Sequence, residues 1–123
     1  MNWHPLSSTS AALCVTTLVV CIVDYITGII RAVHQQELTS QTMKKGLLHK
    51  LVYLCIVVVC ACFDALGVSE SIGLPLDTIS ICTSAIILIE LSSIMENACA
   101  VNPQLADSPI GVIFNKTQPK HKG

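Results

Sequence analysis

Three carboxylates, Asp24, Asp64 and Glu90, lie inside the most apolar stretches of this 123-residue chain, and Glu96 stands at the exit of the third. An ionised carboxylate at the centre of an apolar helix costs about 2.5–3.5 kcal/mol to place in lipid, so such a group faces protein or water. The chemistry open to it is ion or proton handling, or holding one helix to another. Asp64 stands near the end of its apolar block and reads as an interfacial residue. Asp24 and Glu90 stand deeper, each about 10 Å from the same end of its block at helical rise. On a helix, Asp24, Gly28 and Arg31 share one face, with Thr27 beside them, and Thr83, Glu90, Ser93 and Asn97 fall on or near one stripe. Gly28 leaves room for a neighbouring backbone. Two polar stripes at matched depth suggest a shared polar layer. One copy of so short a chain looks too small to hide both, which points to self-association.

Other chemistry is thinly supported. The sequence has no glycine-rich phosphate loop, nucleophile elbow or HExxH, and no spacing ties its serine, histidine and acidic residues into a hydrolytic set. No enzyme is expected, and no cofactor. The seven cysteines include six inside the apolar blocks, where a free thiol behaves as a small hydrophobe. Cys60 and Cys62, two apart, point to different helix faces, unlike a CxxC pair. The cysteines read as filler rather than as metal ligands or disulfides. The four histidines, His4, His34, His49 and His121, share no spacing, and no metal site is expected. A net charge of −1 gives no footprint for nucleic acid.

The elements that must carry the polar groups follow from composition. The chain is 52% hydrophobic and 12% charged, against about 25% charged in average proteins, and its mean hydropathy is +0.67. Three apolar blocks, about residues 11–31, 47–66 and 76–96, are each about 20 residues long, enough to cross a hydrocarbon core about 30 Å thick. "LVYLCIVVVCACF" lacks the alternation of a barrel strand. The fold class expected is an all-α membrane protein with three transmembrane helices, its membrane domain spanning residues 1–99. The first loop carries Arg31, Lys44, Lys45 and Lys50, whereas the second, "GVSESIGLPLD", carries no lysine or arginine. The positive-inside rule then gives N-out, C-in. Residues 1–10 lack the basic start of a signal peptide, so the first span is expected to stay. Within the first loop, Ser40 or Thr42 can start a helix and Gly46 can end or bend one. The segment reads equally as a short helix on the cytoplasmic leaflet or as a solvated turn, with Lys44, Lys45 and Lys50 near the membrane surface. Residues 100–123 read as a polar, poorly ordered cytoplasmic tail.

"DYITGIIRA" ending the first span, "KKGLLHKL" opening the second and "ELSSIMENA" closing the third together resemble a family of holins. These small three-span bacterial membrane proteins serve phage lysis and clostridial toxin release. The resemblance covers about residues 18–99, and the ordered set of three motifs carries it. Family positions fall on Asp24, Tyr25, Thr27 and Gly28, then Gly46, Leu47 and Lys50, then Glu90, Ser93, Glu96 and Asn97. The resemblance implies accumulation in the bacterial cytoplasmic membrane, homo-oligomerisation and the opening of lesions that release an endolysin or a toxin. Such proteins often end in a dense basic run. Here the tail has only Lys116, Lys120 and Lys122.

Two other functions are compatible with buried carboxylates. A small transporter would use Asp24 and Glu90 as proton-coupled groups, although no internal repeat of the kind common in transporters is visible. A membrane subunit without a pore would use the stripes to dock a partner.

Overall fold

The computed structural model describes residues 5–115, which are helical with no strand among them. Helix α1, Ser8–His34, starts where the Ser7 hydroxyl accepts the Ser10 amide at 3.1 Å. It stops at a Schellman turn, with Glu37 N–H donating to Ala32 C=O and Gln36 N–H to Val33 C=O. Gln36 takes the left-handed conformation, φ 57°, that this turn requires. Helix α2, Ser40–Ala65, is started by a reciprocal cap between Thr39 and Thr42. Side-chain capping, more than hydropathy, sets this boundary. The second span therefore begins in the polar loop and passes through Gly46 without a break. A separate surface helix, one of the two expectations for this loop, is not formed.

A one-turn helix α3, Val68–Ser71, and the turn after it lead into α4, Thr78–Val101. The three long helices are apolar and long enough to cross a membrane. Helix α4 is central, packing most extensively on α1 and less on α2. Ser10 donates to Asp77 at one end of the α1–α4 pair, and Arg31 reaches Asn97 at the other, so these two helices run in the same direction. Helix α2 runs against both.

The buried residues of α1 are Ser10, Thr17, Cys21 and Asp24, and those of α4 are Ile79, Thr83, Ile86, Glu90 and Asn97. Their spacing, built from steps of three and four, is that of helices packed side by side. The seam is rich in polar side chains, with Ile79 and Ile86 between them, while Val15, Val19, Ile22, Val52, Val59 and Leu88 are exposed. This reverses a soluble protein and suits lipid as the solvent. Thr17 and Thr83 satisfy their hydroxyls on their own helices, donating to Leu13 C=O at 2.8 Å and Ile79 C=O at 2.6 Å.

Asp64 has a definite task. Its carboxylate accepts from Ser69 Oγ at 2.6 Å, Thr78 N–H at 2.9 Å and Ile79 N–H at 2.8 Å. The end of α2 thus caps the start of α4, whose own N-cap residue, Asp77, makes no side-chain cap. The region from residue 100, expected to be poorly ordered, is structured as far as it is described. Helix α4 continues to Val101, a 3-10 turn covers Pro103–Asp107, and helix α5 covers Pro109–Asn115. Two prolines fix the backbone at the starts of these elements, and Asn102 and Ser108 supply hydroxyl or amide oxygens to their first amides. Lys116, Lys120, Lys122, His4 and His121 lie outside the described residues.

Candidate functional site: a buried ion cluster between the spans

Asp24 on α1, Lys50 on α2 and Glu90 on α4 meet at one level. Each is about 15 Å from the nearer loop end of its helix by helical rise. The Lys50 ammonium donates to Glu90 Oε2 at 2.5 Å and to Asp24 Oδ2. Asp24 is 7% exposed and Glu90 2%. One cation is therefore shared between two carboxylates, and Tyr53 lays its ring 5.8 Å from the same ammonium.

The network continues toward the ends of α1 and α4. Asn97 Nδ2 donates to Asp24 Oδ1 at 3.3 Å and to Thr27 Oγ1 at 3.2 Å, and Thr27 donates to Asp24 C=O at 3.0 Å. Arg31 donates to Asn97 Oδ1 at 3.4 Å and pairs with Glu96 at 3.7 Å. The Arg31–Glu96 pair is largely open to its surroundings and contributes little by itself. The inner ions differ: removing one partner of a buried pair costs about 3–5 kcal/mol, because the other is left uncompensated.

Two glycines face the neighbouring side chains with room for a methyl group and little more. A Cβ at Gly28 would meet the Asn97 amide at 3.8 Å, and one at Gly46 would meet the Tyr25 ring at 3.4 Å. Beside the ions lies a half-open cavity of about 360 Å³, with Tyr25, Gly28, His49, Lys50, Tyr53 and Ser93 among its walls. It is large enough for water or a small polar group to reach the cluster.

The structure thus brings together Asp24, Thr27, Gly28, Arg31, Glu90 and Asn97, with Ser93 on the cavity wall. A single chain buries both carboxylates, so the premise that one copy is too small to hide them is corrected. The missing partner was Lys50, read from sequence as a surface lysine. Lys44, Lys45, Leu47 and Glu96 are exposed. The signal for Lys50 lay in its flanks: "GLLHKLVYL" is apolar on both sides of the His49–Lys50 pair, and two buried acids favour a cation between them.

Three apolar helices enclosing an ion cluster define a multi-pass helical membrane protein. The chain matches the bacteriophage holin family over residues 6–108 and belongs to that family. The match takes in all three spans and every residue of the cluster. No curated protein and no solved structure matches the chain.

Proposed function

We propose that the protein acts as a holin: it accumulates in the bacterial cytoplasmic membrane, self-associates and permeabilises it, releasing an endolysin or a protein toxin. The observation that carries this reading is Lys50 bridging Asp24 and Glu90 inside one chain whose outer faces are apolar. Such a chain rests in lipid as a closed unit with its charges satisfied internally. In an assembly, the same polar seam is available to line water, where hydration replaces the internal pairing and offsets the desolvation that burial demands. Oligomerisation belongs to opening in this scheme, since the closed chain already satisfies its acids. The topology that fits is N-out, C-in, with the α1–α2 loop in the cytoplasm. Neither a cofactor nor a catalytic step is needed.

The test is induced expression in bacteria that also make a cytoplasmic cell-wall hydrolase, with a potential-sensitive dye in the medium. Abrupt depolarisation followed by release of the hydrolase is expected. Continued growth with altered resistance to particular solutes would instead identify a carrier.

A further inference from the structure

Cys60 on α2 and Cys82 on α4 are free thiols whose sulfurs lie 2.8 Å apart, with Cys60 buried. Twenty-two residues separate them, so no sequence spacing announces the pair. The Asp64 clasp sets their register. Cys60 lies one helical turn before Asp64 and Cys82 one turn after Thr78, so the carboxylate bonds to Thr78 and Ile79 hold the two backbones together beside the sulfurs. A covalent S–S bond is about 2.05 Å, within reach of a small side-chain rotation. The pair also lies about 6–8 Å from the helix ends by helical rise, shallow enough for a small lipid-permeant reagent to reach.

We propose that Cys60 and Cys82 form a modification site, a dithiol that a lipid-permeant two-electron, two-proton acceptor of the azo or quinone class closes to an intramolecular disulfide fastening α2 to α4. With an azo acceptor the balance is complete. One thiol adds across N=N, the second sulfur attacks the first and displaces the hydrazine, both S–H bonds are lost, one S–S bond forms, and two electrons and two protons end on the two nitrogens. The apolar setting selects a neutral reagent, which partitions to the sulfurs at little cost, over a charged oxidant, which would have to be desolvated to reach them. The bond would join the helices at the end of the bundle remote from Lys50.

The experiment treats the full-length protein in lipid vesicles with diamide, unfolds it in detergent and counts free thiols with a maleimide mass tag. Wild type is expected to fall from seven free thiols to five while remaining monomeric on a non-reducing gel. Peptide mass spectrometry should find Cys60 joined to Cys82, two hydrogens lighter than the separate peptides, and dithiothreitol should restore all seven thiols. Cys60→Ser and Cys82→Ser, and Cys60→Ala as a check on packing, should each keep all six remaining thiols. Seven free thiols after treatment, or a link through any other cysteine, would overturn the site. Thiol counting does not depend on permeabilisation, so this result stands apart from the holin reading.

Discussion

The ammonium of Lys50 lies 2.5 Å from the Glu90 carboxylate, although 40 residues separate them and they sit on helices running in opposite directions. Asp24 holds the same ammonium from α1. Removing the cation leaves two facing carboxylates in a low-dielectric seam. Lys50→Met should therefore destabilise the closed chain by about 3–5 kcal/mol and bring permeabilisation forward. Thermal unfolding in detergent and the time of dye depolarisation are the two measurements. Adding Glu90→Gln should recover part of both effects, and a Lys50→Met chain as stable and as late as wild type would refute a stabilising role for the shared cation.

Neutralising an acid should act in the opposite sense. Asp24→Asn leaves Lys50 and Glu90 as a one-to-one pair and keeps an oxygen for Asn97. Normal membrane levels and a later onset are expected, measured by immunoblot and turbidity in the same culture. An earlier onset at equal abundance would contradict the charge balance drawn for the closed state.

Gly28 separates packing within a chain from packing between chains. Its missing Cβ would stand 3.8 Å from the Asn97 amide, an ordinary contact. Gly28→Ala should thus be tolerated, whereas Gly28→Leu should force α1 from α4 at a cost of about 1–3 kcal/mol. Unfolding measured at protein concentrations where the chain is monomeric would show the loss. A leucine variant that unfolds like wild type there, yet cross-links less in membranes, would move the contact to an interface between copies.

Asp64 offers a test on the far side of the bundle. Asp64→Ala removes the acceptor of two amides and one hydroxyl and should cost about 2 kcal/mol. Hydrogen exchange should quicken at Thr78 and Ile79, while the amides around Glu90 keep their protection. Unchanged exchange at those two amides would show that the clasp contributes nothing.

Orientation is open to labelling. With the native cysteines replaced, a probe cysteine at Ser71 should react with an impermeant maleimide on intact spheroplasts, and one at Gln41 should not. Both positions are exposed, so burial does not confound the result. The reverse pattern would invert the topology.

The spans were legible because lipid selects long apolar runs, and Asp24 and Glu90 were legible because a carboxylate stands out against them. Lys50 was obscured because lysines near a loop also set topology, and because α2 begins at the Thr39–Thr42 cap. Its true depth follows only from that start. Asp64 was obscured for another reason: its amide partners lie 14 and 15 residues away, and helix capping read from sequence looks only to adjacent residues. The turn and short helix after Asn102 depend on local caps and prolines within a polar composition that also describes disorder. Gly111 shows how tightly that segment is folded, since a Cβ there would overlap the Leu105 carbonyl oxygen.

The seam between α1 and α4 is made of residues that every copy of the chain carries. The surface that α4 offers to its own α1 is equally suited to the α1 of a neighbour, with Thr17, Asp24 and Gly28 meeting the same residues. Exchange of identical helices between copies therefore requires no new complementary surface. What favours the closed chain is the high local concentration of its own α1, set by the short connections through α2. That advantage is entropic and fixed, whereas the supply of neighbouring copies rises with every chain inserted into the membrane. If copies self-associate as proposed, crowding in two dimensions would bring α4 within reach of a neighbour's α1 before the seam opens to water.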